Sequence, residues 1–160
     1  LMKRTTAREI AVQLAFAAAA TDTSALQAAE ELFDRDYYEQ LASESELYSE
    51  YPDEKQKEYI LRLTGLLDEY RIQINKYIEK YAKGWKLPRI SKTAMAVLRC
   101  AICEIMYMDE IPNGVAINEA VELSKGYDEP ETVAFVNGVL GGFMRGEFGE
   151  EAAPIAESEE

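Results

Sequence analysis

Few side chains in this sequence could do covalent or metal chemistry. Cys100 and Cys103 are the only thiols, and they read C-A-I-C inside an apolar run. Two thiolates with no other soft ligand do not complete a structural zinc site. A spacing of three instead sets both on one helical face, where small, half-apolar side chains pack well, and redox or metal chemistry is the lesser alternative. Glu119 and Glu122 also share a helical face, but nothing nearby supplies the nucleophile or metal that an acid/base pair would serve. The chain has no histidine, which removes imidazole triads and dyads, Glu-x-x-His di-iron bundles, HExxH proteases and Cys/His zinc fingers. Nor is there a Gly-rich phosphate loop or a nucleophile elbow. Lys76, Lys80, Lys83, Lys86, Arg89 and Lys92 are six of the 17 cations. They read either as a solvated face favoured by a helix C-terminus or as a ligand-facing patch. Composition and periodicity alone give a soluble helical module, for which neither an enzymatic activity nor a cofactor is expected.

The 160 residues carry a formal net charge of -13, which by itself argues against holding nucleic acid through counterion release. The excess acid is localised. Residues 22–58 carry -9 and residues 146–160 carry -6, whereas residues 1–21 carry +2 and residues 59–145 are neutral. Global charge governs solubility and long-range steering, while a polyanion meets a local surface. The longest apolar stretch, Ala11 to Ala20, is broken by Gln13 and has neither the length of a membrane span nor the pattern of a signal peptide. A soluble, cytoplasmic protein is expected, with Met2 as its natural start behind Leu1.

The elements that must position any site are helical. Thr6 and Glu9 read as a capping box that starts a helix near Ala7. Ile10, Leu14 and Ala17 form its core stripe, with Val12 and Phe16 four apart on a flank away from that stripe. Ser24 and Gln27 box a second helix bearing Leu26, Ala29, Phe33, Tyr37 and Leu41. Residues 43–54 have no sustained period and contain Pro52, which predicts an exposed acidic loop. Asp53 and Gln56 restart the most regular helix, through Leu63, Leu67, Tyr70, Ile74, Tyr77 and Tyr81 to a stop at Gly84. Ser91 caps a helix that ends at the Ile111-Pro112-Asn113-Gly114 turn, and the next runs from Val115 to Lys125 with Gly126 as its left-handed stop. Asp128 and Glu131 box the last helix, with Pro130 in its first turn. The fold class is all-α, with three helices before Gly84 and three after. The domain covers residues 1–145, in helical subdomains of about 1–83 and 84–145, and 146–160 is a disordered acidic tail.

Five segments in order resemble the NusB family of bacterial transcription antitermination factors. They are A-R-E-I-A-V-Q at Ala7 to Gln13, W-K-L-P-R-I at Trp85 to Ile90, A-V-L-R at Ala96 to Arg99, I-P-N-G-V-A-I-N-E-A-V-E-L-S-K at Ile111 to Lys125 and F-V-N-G-V-L at Phe135 to Leu140. The resemblance spans nearly the whole chain and implies a NusB-like fold of two three-helix bundles packed across each other. It implies a non-enzymatic RNA-binding factor that pairs with NusE, a small-subunit ribosomal protein. The pair would recognise boxA RNA in nascent transcripts and load the antitermination complex of RNA polymerase, supporting ribosomal RNA transcription. Homodimerisation, which some family members use to hide the RNA face, is left open.

The resemblance also carries residues. The family's N-terminal arginine-rich motif maps onto Lys3, Arg4 and Arg8, with Thr5 and Thr6 where relatives often have more arginine. Fewer phosphate contacts mean weaker binding and a flatter salt dependence. Lys125 and Tyr127 fall where the family offers cations and an aromatic ring to RNA, and ring–base stacking is worth about 1–3 kcal/mol. Phe135 either extends that platform or packs in the core. Phe16, with Val12 beside it, matches the face that resembles the NusE contact, and Ala94 stands where relatives tend to carry an acid. Asn118 and Asn137 are expected to bond backbone across helix junctions. An alternative of another class is a helical adaptor that binds a basic protein with little RNA affinity of its own.

Overall fold

The structure, a computed structural model, describes residues 1–86 and 89–149. Among them the backbone forms eight α-helices, one 3-10 turn and no strand, as the all-helical pattern predicts. The helices are α1 (Arg4–Thr21), α2 (Ala25–Leu32), α3 (Arg35–Ala42), α4 (Glu54–Glu69), α5 (Arg71–Ala82), α6 (Lys92–Tyr107), α7 (Asn113–Tyr127) and α8 (Pro130–Phe148). They gather into two compact units, Leu1–Glu69 and Tyr70–Glu160. The division falls earlier than Gly84 because the long periodic segment breaks at Tyr70, whose φ of -107° and ψ of 22° leave the helix. Its ring stacks on Tyr107 at 3.9 Å. Eight helices therefore replace the six expected, and α5 joins the C-terminal unit.

In the first unit α1, α2 and α4 pack on one another. Helix α1 buries a broad face through Ala7, Ile10, Ala11, Val12, Leu14, Ala15 and Ala18, wider than the predicted stripe and turned from it: Ala17, expected in the core, is exposed. It starts at Arg4, a turn before the predicted Thr6–Glu9 box, and its N-cap Lys3 makes no side-chain cap. Ser24 does cap α2, accepting the Gln27 N–H at 3.0 Å. Asp68 of α4 reinforces that cap, accepting from Ser24 Oγ and from the Ala25 and Leu26 N–H groups at 2.6–3.0 Å. The predicted second helix is split at Asp34, which turns extended and caps α3 by accepting from the Tyr37 N–H. An aspartate at that point gains more as a cap than as a helix interior residue. The segment expected to be an open acidic loop contains the 3-10 turn Glu46–Tyr48 and is tied down by tyrosines. The buried Tyr38 hydroxyl donates to the Glu50 carbonyl at 2.7 Å, Tyr51 donates to the Phe33 carbonyl at 2.6 Å, and Tyr48 and Tyr51 meet the Tyr38 ring edge to face. Burial pushes the Tyr38 hydroxyl pKa well up and keeps it a donor.

In the second unit α6 packs on α7, and α8 packs on α5, α6 and α7. Cys100 and Cys103 are buried and unbridged, consistent with packing. Ser91 caps α6 by accepting the Ala94 N–H. Gly84 stops its segment with φ at 89°, but Gly126 lies inside α7, which runs on to Tyr127. The N-cap of α8 is Glu129, not Asp128, with Pro130 in the first turn as expected. Helix α8 also reaches Phe148, so residues 146–148 are helical, while residues 150–160 of the expected tail lie outside the described residues.

Glycines on α8 let aromatic rings approach its backbone. A Cβ at Gly138 would overlap the Trp85 ring, and one at Gly146 would overlap the Tyr81 hydroxyl. Gly138→Ala is therefore expected to displace Trp85, the chain's single tryptophan, and to shift its fluorescence emission to the red. An unshifted spectrum would show that the ring is not seated there.

Glu147 accepts from the Tyr81 hydroxyl at 2.5 Å and from Lys80 Nζ at 3.0 Å. These bonds hold its carboxyl below the usual carboxylate range, the Tyr81 bond first. A lowered folded pKa contributes stability in full above the unfolded value, about 4.3, and loses it as pH falls through the lowered folded value. The melting-temperature gap between the protein and its Glu147→Gln variant should therefore be present at neutral pH and close on acidification. A gap that stays constant would contradict this.

Candidate nucleic-acid interface

The N-terminal cations differ sharply in setting. Lys3 is exposed, Arg4 is half-buried and Arg8 is only 4% exposed. The Arg4 guanidinium lies 4.1 Å from the centroid of the Tyr59 ring and its Nε donates to Gln56 Oε1 at 2.6 Å. Arg8 reaches the same ring at 5.6 Å. The arrangement follows from helical spacing: Arg4 and Arg8 are four apart on α1, Gln56 and Tyr59 are three apart on α4, and the two helices pack together. Both groups that hold Arg4 are neutral, a π face and an amide oxygen. They fix its direction without cancelling its charge. Gln56 is itself buried and does not close the predicted box with Asp53.

Arg8 was expected as a surface contact. It is buried instead, beside the Tyr59 ring that Arg4 also contacts. Gln56, expected only at a helix-start box, and Tyr59 thus both contact the Arg4 side chain. Their common face was visible in the spacing, but only the α1–α4 packing shows what they face.

In the second unit Tyr127 is 40% exposed as the last residue of α7, not in a turn beyond it. Lys125 is exposed one turn end away and pairs with Glu122 at 2.8 Å. An exposed pair of this kind contributes about 0–1 kcal/mol. Phe135 is 0% exposed and meets Trp85 edge to face at 5.6 Å. That corrects its assignment to an RNA platform: it is core. Val12 is likewise corrected, being 1% exposed and so unable to face a partner, whereas Phe16 keeps a half-exposed ring. Ala94 is fully buried. Asn137 Oδ1 is buried with no hydrogen-bond partner, so it does not form the expected junction bond. Of the basic cluster, Lys76, Lys83, Lys86, Arg89 and Lys92 are exposed and Lys80 pairs with Glu147. Leu87 and Pro88 of the Trp85–Ile90 motif lie outside the described residues.

The first unit also has an open groove of about 730 Å³ between α1, α2, α3 and the 3-10 turn, lined by Leu14, Ala17, Leu32 and Leu41 with Glu31 and Asp34. No lysine or arginine lines it. Among the described residues there is no cluster of metal-ligating side chains, and no helix is long and apolar enough to cross a membrane.

The NusB family model matches residues 5–145. The chain is 49% identical over 89 residues to a transcription antitermination protein NusB of Acetivibrio thermocellus, an alignment that covers 56% of this chain and 61% of that protein. It is 33% identical over 140 residues to a transcription antitermination protein NusB of Clostridium botulinum, covering 88% of this chain and 98% of the relative. Among solved structures, T. maritima NusB superposes with a TM-score of 0.71 at 28% identity, covering 99% of each chain.

Proposed function

Because the chain belongs to the NusB family, we propose that it is a bacterial transcription antitermination factor that binds boxA-type RNA together with NusE. It acts in the cytoplasm on nascent transcripts, without catalysis, and joins the antitermination complex on RNA polymerase. The family match over residues 5–145 carries this reading. Local chemistry agrees with it: Lys3 and Arg4 offer charge to phosphates at the start of α1, and Tyr127 offers a ring for a base beside Lys125. The half-exposed Phe16 is the apolar contact for NusE. With so few N-terminal cations and a net charge of -13, the isolated chain binds RNA weakly, and a basic partner supplies the remaining charge.

Fluorescence anisotropy with a boxA oligonucleotide, with and without NusE and over a range of salt concentrations, tests this. Tight, sequence-specific binding that appears only with NusE and weakens with salt is the expected result. The acidic groove of the first unit favours a second reading, an adaptor that binds a basic protein. NusE binding with no gain in RNA affinity would select the adaptor.

A further inference from the structure

Arg4 is held in place without being neutralised, and this has a consequence for the RNA site. Its contacts among the described residues are the Gln56 amide oxygen and the Tyr59 ring. The Nε is used, while the terminal nitrogens of the fork make no protein hydrogen bond there. A guanidinium on a flexible stem loses rotamer entropy when it binds, and a fork already fixed loses less. Holding it with a carboxylate would fix it equally well but would cancel the charge that attracts phosphate.

We propose that Gln56 and Tyr59 of α4 are positioning residues of the RNA interface, which preset Arg4 as a phosphate contact. The proposal rests on the RNA-binding reading above. The buried Arg8 also lies over the same ring, at 5.6 Å from its centroid, so Tyr59 meets both guanidinium groups. Thr5 and Thr6 leave this chain few cations at the start of α1, and presetting one of them offsets part of that loss.

The closing experiment measures boxA RNA binding by anisotropy in the presence of NusE, as a function of salt, for the natural chain and for Tyr59→Phe, Tyr59→Leu and Gln56→Glu, with melting temperatures alongside. Tyr59→Phe keeps the π face and should bind as the natural chain does. Tyr59→Leu leaves the charge but frees it, so affinity should fall about three- to tenfold with the salt slope unchanged. Gln56→Glu places a carboxylate on Arg4 and should lower affinity while reducing the magnitude of the salt slope by about 0.7, the share of one phosphate contact on a single strand. A purely structural role for these residues predicts no change of slope in Gln56→Glu, and that outcome overturns the proposal. So does equal binding by Tyr59→Leu and the natural chain. If the natural chain fails to bind RNA even with NusE, the RNA-binding reading itself falls, and the positioning roles fall with it.

Discussion

Phe135→Ala is expected to lower the unfolding free energy by about 3–5 kcal/mol, the usual cost of emptying a buried aromatic site. The ring is 0% exposed and carries the edge-to-face contact with Trp85, which also lies across Gly138. Removing it leaves a cavity beside the only tryptophan of the chain, so chemical denaturation followed by tryptophan emission reads both effects at once. Phe135→Leu separates packing from recognition. Leucine refills most of the volume but cannot stack on a base, so a core residue predicts a smaller stability loss and unaltered RNA affinity. A residue that stacks on RNA predicts the reverse, and that result would return Phe135 to the interface.

What could be read from the sequence follows from the range of the interactions. Caps that depend on one or two neighbouring residues, such as Ser24 and Ser91, were legible, as was the glycine stop at Gly84. Breaks decided by competition were not. Tyr70 sits in perfect helical register, yet its ring stacks on a residue far along the chain. Asp34 fits a helix by spacing but gains by capping the next one. Faces were misjudged where a helix buries a broad face. A three-residue stripe described α1 too narrowly, which put Val12 on a free flank and Arg8 on the surface. The acidic loop was misjudged for a related reason: period and charge described its polar residues, while Tyr48 and Tyr51 bind it to Tyr38.

The same distinction reorganises the candidate site. Motif matching finds residue types, and Lys3, Arg4 and Arg8 are equivalent to it as cations. Burial separates them into an exposed charge, a fixed but uncompensated charge and a buried charge. Only the first two can meet phosphate directly. The net charge of -13 does not by itself describe such a site: the N-terminal 21 residues are net positive, although the acidic segment adjoins them, with the Leu1 amine 3.3 Å from Glu50.

Arg8→Ala and Arg4→Ala should accordingly fail in different ways. Arg8 has its aliphatic stem and guanidinium enclosed at 4% exposure against Tyr59, so truncation removes packing as well as charge and is expected to cost about 2 kcal/mol of stability. RNA affinity should fall too, because the ring that holds Arg4 loses a neighbour, but the salt slope should stay, since no phosphate contact is lost. Arg4 is half-buried at the first turn of α1, and its truncation, which removes the Tyr59 contact and the partner of Gln56 Oε1, is expected to cost about 1 kcal/mol of stability, less than that of Arg8. It should also reduce the magnitude of the salt slope by about 0.7, because one phosphate contact on a single strand disappears. Thermal melts and salt titrations of the two variants together therefore sort support from contact. If Arg8→Ala left the melting temperature unchanged and reduced the slope, Arg8 would be a direct phosphate ligand. The burial of its side chain would then have to open on binding RNA, and the ring of Tyr59 would be freed with it.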